Sequence, residues 1–487
     1  MYYPSLEEAK KLSEEFNFIP VCCEIFSDFR TPIAVLKNIS IISKQYYLLE
    51  SVEGEEKWGR YSFLGYNPLL QVKCIDGITT IIRGSTSERY EKNPNLVLRE
   101  LINEYRSPKL APLPPFAGGF VGYFSYDYIK YSEPCLKLNG DNSPHFVDVD
   151  LMLFDKVIAF DHMKQKILVI MNIKADDIDI NYTKAIRELS ETVKLIKANI
   201  PSSYVKSGLK TSFKSQFDKQ QFCSMVNKVK HHIFEGDIFQ AVISNRLTAE
   251  FEGSLFDTYR VLRTTNPSPY MFYLKTDDLE LAGASPETLI KLQDGTLSAF
   301  PIAGSRPRGT NSIEDESLIQ SLLSDEKELA EHNMLVDLAR NDLGRISEFG
   351  SVKVSEYLST CKYSHVIHIE SKVTSKLKNG CDQLDVISAM LPAGTLSGAP
   401  KIKACQIINS LEGSKRGIYG GAVGYIDLTG NIDVCIGIRM AVLKDGVVYV
   451  QSGCGVVADS VPETEYQEAQ NKARAMVNAL TYGKEIE

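Results

Sequence analysis

From about Asn17 to Phe160 the chain sets short β-branched and aromatic runs one after another, with turn signals between them. Thr79–Ile82 and Val157–Phe160 are examples, and one helical stretch, Leu96–Tyr105, interrupts the series. Strands joined by turns pair antiparallel, because a parallel pair needs a crossover of about a dozen residues, usually a helix. That pattern rules against a doubly wound fold. A first helix precedes the block, opened by a capping box of Ser5 and Glu8 and running through about Phe16. A second, over Lys184–Ile200, closes it. Pro201–Ser212 is small and polar and reads as a linker.

Beyond the linker the helices lengthen, at Phe222–Glu235, Asp325–Arg340, Ala399–Leu411 and Pro462–Leu480, with strands between. A hairpin turns at Asp445–Gly446, between Met440–Leu443 and Val447–Val450. The expectation is an α+β fold with largely antiparallel sheets, organised as a block over 1–200 and a second over 213–485. The 487 residues allow roughly two to four domains.

Composition excludes several classes. The formal charge is −8, whereas a nucleic-acid binder shows a basic face, and no Lys/Arg block is present. No uncharged apolar run approaches the roughly 20 residues of a membrane helix. The first sixteen residues carry Glu7, Glu8, Lys10 and Lys11, so they suit neither a secretory signal nor an anchor. The ten cysteines include an adjacent pair, Cys22–Cys23, and no Cys-x-x-Cys, which points to buried thiols in a reducing, cytoplasmic compartment.

One internal echo stands out: Gly118-Gly-Phe-Val-Gly-Tyr123 and Gly420-Gly-Ala-Val-Gly-Tyr425. The plainer reading is two strands where backbones approach closely, ahead of a duplication. Neither copy has dinucleotide or P-loop spacing, so a nucleotide enzyme is not expected.

Four glutamates carry the strongest local signal. Glu328 and Glu331 lie three apart on one expected helix, as Glu465 and Glu468 do on another. Like charges on one helix face are mildly unfavourable in solvent and far more costly when buried without a cation. The pairs are either solvated faces or two walls of a divalent-cation site, and spacing alone favours the former. An oxygen-only site would suit Mg²⁺, which takes one or two carboxylates plus substrate. His332, four residues from Glu328, does not complete a Glu-x-x-His pair.

In His365-Val-Ile-His368-Ile-Glu370, alternation groups Val366, His368 and Glu370 on one strand face; such a histidine is usually hydrogen-bonded filler. Arg439 and the small turn Ser452-Gly-Cys-Gly-Val456 would suit a carboxylate or phosphate. Together these suggest an anionic small molecule held partly through a metal.

Pro301–Gly309, Asp325–His332, Asp337–Asp342, Gly394–Lys401 and Asp459–Tyr466 resemble, in order, the motifs of the chorismate-utilising enzymes. The likeness is dense from about Phe217 to Leu480 and looser before it. It implies antiparallel sheets packed as a sandwich with helices around them. Among the family's branches the chain looks most like those that aminate chorismate with ammonia and eliminate pyruvate to give anthranilate. Matched residue by residue, the resemblance makes Glu331, Glu468 and Glu465 Mg²⁺ ligands, assisted by Glu328. It gives His368 the place of an imidazolium acid beside the departing hydroxyl. Thr395, Tyr419, Arg439, Gly304, Ser305, Gly453, Cys454, Gly455 and Lys472 match substrate contacts. Water-adding relatives carry a lysine where this chain has Gln240, and aminodeoxychorismate-forming relatives carry one at Ala303. Ser305 replaces a usual threonine and Cys454 a usual alanine, both at backbone contacts.

The resemblance also implies a tryptophan feedback pocket, at Leu49, Glu50 and Ser51 in the N-terminal block and Pro269, Tyr270 and Met271 in the other. Plain alternatives are a strand end and a Pro-rich turn. No Gly-x-Cys-x-Gly elbow is present, so a separate glutamine amidotransferase subunit is expected to supply ammonia within a heterotetramer. Alternatives are aminodeoxychorismate formation and a non-catalytic tryptophan-binding regulator.

Overall fold

The computed structural model describes residues 2–51, 59–138, 140–200, 207–362 and 366–483. The first part of the expected linker, Pro201–Lys206, lies outside them, as do His365 and residues 484–485 of the second block.

Twenty strands form the frame. The first ten are β1 Phe18–Phe26, β2 Tyr46–Glu50, β3 Tyr61–Tyr66, β4 Leu70–Ile75, β5 Ile78–Arg83, β6 Thr86–Glu91, β7 Gly119–Phe124, β8 Val149–Phe154, β9 Lys156–Asp161 and β10 Lys166–Lys174. After the linker come β11 Gln240–Glu252, β12 Tyr270–Lys275, β13 Leu279–Ser285, β14 Thr288–Gln293, β15 Thr296–Ala299, β16 Val366–Lys376, β17 Ala422–Asp427, β18 Ile432–Ile436, β19 Met440–Lys444 and β20 Val447–Val456. Further strands, among them Ile302–Pro307 and Lys353–Lys362 beside β16, complete a 14-stranded and a 12-stranded sheet. Sheet I has the order β1-β10-β9-β3-β2-β12-β13-β19-β20-β11, and sheet II β16-β15-β14-β18-β17-β7-β8-β4-β5-β6. Neighbours in both sheets run antiparallel, as the turn-rich pattern requires. Phe63 of sheet I meets Tyr425 of sheet II edge to face, with ring centroids 6.2 Å apart, so the sheets form a sandwich.

The strand order repeats. Outward from the middle of sheet I, β2-β3-β9-β10-β1 matches β12-β13-β19-β20-β11; in sheet II, β7-β8-β4-β5-β6 matches β17-β18-β14-β15-β16. The two echo segments pair with each other, Gly122 opposite Gly424. Lys73, Asp150 and Tyr123 sit side by side on β4, β8 and β7. Lys291, Asp433 and Tyr425 do the same on β14, β18 and β17. Close approach is real as well: a Cβ on Gly122 or Gly424 would overlap the carbonyl oxygen of Asp150 or Asp433. The echo is nevertheless the visible trace of an internal repeat, against the plainer expectation.

Helices follow the same scheme: α1 Leu6–Leu12, α2 Pro32–Ile42, α3 Pro94–Glu104 and α4 Ile178–Lys197 in the first half. In the second half lie α5 Lys219–Phe234, α6 Phe256–Thr265, α7 Ser312–Leu323, α8 Glu326–Gly344, α9 Gln383–Met390, α10 Lys401–Glu412 and α11 Pro462–Tyr482. Helix α2 falls where only strands and one later helix were expected. Its β-branched residues mislead, while the Thr31 cap and Pro32 in the first turn start it. Helices α5, α6, α9 and α11 have counterparts in α1, α2, α3 and α4 at matching points between strands. Helices α7, α8 and α10 have none. A core of Val35, Leu189, Tyr259 and Met476 seats α2, α4, α6 and α11 on the outer face of sheet I. Among the described residues no helix is long and apolar enough to cross a membrane, and all ten cysteines are free thiols.

Candidate active site

Helix α8 begins at Asp325, whose side chain accepts from the N–H groups of Lys327 (3.1 Å) and Glu328 (3.3 Å). Arg306, on the edge strand Ile302–Pro307, reaches Asp325 at 2.8 Å and Glu328 at 3.2 Å. One guanidinium therefore fixes the strand to the first turn of α8. Glu331 is one turn further on. Burial pushes its carboxyl above the ordinary range, and the carboxylates of Glu328 and Glu468 push the same way. Glu468 stands on α11, its carboxylate 2.5 Å from the Lys472 ammonium. Glu465, a turn earlier, acts on the Cys454 thiol, which burial and these carboxylates push up. Glu331 on α8 and Glu468 on α11 thus feel each other's charge across one cleft, with Glu331 still exposed and Glu468 half-exposed.

The donor set fits a hard divalent cation: the carboxylates that crowd Glu331 and stand near one ammonium are relieved by positive charge. Among the described residues no three His, Cys, Asp or Glu side chains stand close enough to hold a metal on their own. Mg²⁺ does not require that, since it keeps waters and shares substrate oxygens.

His368 lies on β16 opposite Ser305, where the ladder slips by one residue at Gly304. Gly304 is the bulge, with φ +70°; a Cβ there would stand 3.1 Å from both Glu328 and Leu322. Its turned carbonyl accepts from His368 Nδ1 at 2.8 Å, so Nδ1 carries the proton. Burial lowers the ring's pKa and Arg439 acts in the same sense. A neutral ring then carries its lone pair on Nε2, whereas the imidazolium acid that the resemblance implies needs that nitrogen protonated, which burial and Arg439 oppose and Glu328 favours.

A second candidate proton donor was not singled out in the sequence. Glu287, between β13 and β14, accepts from Thr395 Oγ1 at 2.8 Å. Burial raises its carboxyl to about 7, opposed by the Thr395 bond and by the charge of Lys472. Arg439 has φ 51°, a strained value for a non-glycine residue. Its Nη1 donates to the Lys472 carbonyl at 2.5 Å, and its charge is felt at Tyr419. Gly453, Cys454 and Gly455 form no turn. They continue β20 opposite Ser244, Ile243 and Val242, because the hairpin register runs on past Val450. A Cβ on Gly455 would lie 2.6 Å from the Gln240 amide, which places Gln240 at the same cleft.

The six residues of the second expected site meet at a cavity of about 590 Å³ between the sheets, at the seam of β2 and β12. Leu49 and Tyr270 face the core between the sheets. Glu50 and Met271 contribute backbone, since both side chains lie on the outer face: Met271 packs with the outer core and Glu50 is held by Arg263 and by Tyr259 at 2.7 Å. Lys291 and Asp433 add a polar floor, 3.4 Å apart. The glutamate helices do not line this cavity, so the two candidate sites lie apart.

A family model for chorismate binding enzymes matches residues 45–478. Anthranilate synthase component 1 of Acetivibrio thermocellus is 44% identical over 100% of both chains. That of Pseudomonas aeruginosa is 42% identical over 98% of this chain and 99% of its own. The crystal structure of anthranilate synthase component I from Streptococcus pneumoniae is 35% identical, with a TM-score of 0.78 over 93% of this chain and 98% of that one. MenF, an isochorismate synthase of Escherichia coli, shares the fold at 18% identity and a TM-score of 0.70.

Proposed function

The chain belongs to the family of chorismate-binding enzymes, and from that premise we propose that it converts chorismate and ammonia to anthranilate, pyruvate and water. Its full-length kinship with component 1 of anthranilate synthases carries the reading. Ala303 and Gln240 support it, since neither side chain can attack substrate or activate water.

Glu331, Glu468 and Glu465, with Glu328, would hold Mg²⁺, whose part when bound is to neutralise the substrate's ring carboxylate. Arg439 and Lys472 supply counter-charge to a substrate with two carboxylates, and Tyr419 and the backbones of Gly304–Ser305 and Gly453–Gly455 shape the cleft. Ammonia attacks C2 while the 4-hydroxyl departs as water with a proton from Glu287, which Thr395 orients. His368 Nε2 then takes the C2 proton, the ring becomes aromatic and pyruvate leaves.

The cavity at the β2–β12 seam is a feedback site for tryptophan, so residues 1–200 serve regulation and residues 213–485 catalysis. The name component 1 carried by the relatives supports a second component, an amidotransferase that feeds ammonia within a cytoplasmic heterotetramer. The buried Cys454, its thiol pushed up, is no nucleophile for that task.

The test is the purified chain with chorismate, Mg²⁺ and ammonium at mildly alkaline pH. Anthranilate with equimolar pyruvate is expected. An aminated product without pyruvate would mean aminodeoxychorismate formation, and no product with tight tryptophan binding would mean a regulator.

A further inference from the structure

The two sites are separate, yet one short run of chain touches both. Tyr270 lines the cavity; its hydroxyl donates to Asp433 at 2.7 Å and accepts from the Thr288 hydroxyl at 3.1 Å. Thr288 follows Glu287, whose carboxyl Thr395 holds at 2.8 Å. The same residue pairs across the ladder with Cys435, another cavity-lining residue. Between Thr288 and Ile290 the ladder of β14 and β18 shifts register, and a bulge is where a strand can change its path without unpairing along its length. The Glu287 carbonyl is fixed from the other side by the Ile436 N–H at 3.0 Å. Thr288 is not among the residues that line the cavity. Its contacts join the two sites.

We infer that Thr288 is the positioning residue through which a ligand in the cavity acts on Glu287 and Thr395, an inference that rests on reading the cavity as the tryptophan site. A ligand pressing on Tyr270 and Cys435 moves both partners of Thr288, the bulge takes up the shift, and the proton donor is drawn off its station. Binding at either site then weakens the other by one common factor.

The experiment is calorimetric titration of tryptophan into the full chain with Mg²⁺, with and without chorismate, ammonium withheld so that nothing turns over. In the wild type chorismate should weaken tryptophan by about 5- to 150-fold. Thr288→Val should bind tryptophan alone within about threefold of wild type and form anthranilate normally without it, while the factor falls to about 1–2. Thr288→Ser, which keeps the hydroxyl, should restore the factor. A Thr288→Val chain with the full wild-type factor overturns the inference and leaves the tryptophan site standing, as does a Thr288→Ser chain that stays uncoupled. A wild type that binds no tryptophan overturns the reading of the cavity and the inference with it.

Discussion

A carboxyl buried beside a threonine hydroxyl keeps its proton near neutrality, and Glu287, raised to about 7, is poised to give one up. A donor acts in its protonated form, so its share falls as pH rises through about 7. Expressed per unprotonated ammonia, kcat/KM of the wild type should drop about tenfold per unit above that value. Glu287→Gln should lose about 10²- to 10⁴-fold and run flat across the same range; a sloping profile in the variant would assign the titration to another group. His368 tests the second half of the reaction. With Nδ1 committed to the Gly304 carbonyl, His368→Ala removes the proposed acceptor of the C2 proton and leaves the proposed donor, Glu287, in place. Amination should continue while pyruvate release falls by about 10²-fold or more, so an aminated intermediate accumulates, as chromatography of the products would show. The glutamates and His368 could be singled out as candidates because each pair or run is local, three residues apart or alternating along a strand. Glu287 could not be, because a lone acid between two strands gains meaning only from Thr395, 108 residues away.

Secondary elements were legible where a cap or turn speaks for itself. The Ser5–Glu8 capping box forms as the sequence indicates, although α1 ends at Leu12 instead of Phe16. The hairpin turns at Asp445 and Gly446, both with positive φ, as a two-residue turn demands. Helix α2 was hidden because Val35, Ile39, Ile41 and Ile42 have the composition of a strand; sheet I and helix α4 decide their conformation by burying one face. The close approach at the seam was read correctly, and its partner could not be, since strands 302 positions apart carry no local sign of pairing. That seam yields a stability prediction. A Cβ on Gly122 meets the backbone carbonyl of Asp150, which cannot rotate aside as a side chain could. Gly122→Ala should therefore cost about 1–3 kcal/mol or more, seen as a lower urea midpoint. Gly77→Ala, at a φ of +84° with nothing within 4 Å, should cost about 1 kcal/mol from backbone conformation alone.

At the scale of the molecule the two halves repeat one frame, and the differences between them carry the chemistry. The inserted helix α8 presents Glu328 and Glu331, and the loop between α9 and the inserted α10 presents Thr395; the first half has no counterpart to either. The cavity lies instead where the halves meet, lined from β2 on one side and β12 on the other. Neither half can unfold without opening both sheets, because β2 pairs with β12 and β7 with β17 along their lengths. A chain of this size ordinarily unfolds in stages, domain by domain. Here shared sheets should make the halves lose structure together, so far-UV and near-UV circular dichroism should trace one coincident melting curve. Ligands sharpen the test, since each stabilises only the unit that it binds. Tryptophan at 100 times its Kd should add about 2.7 kcal/mol, and Mg²⁺ should act on the same transition although the glutamates proposed to hold it lie wholly in the second half. Two transitions, with Mg²⁺ moving one and tryptophan the other, would show that the halves fold independently and that the seams hold by docking alone.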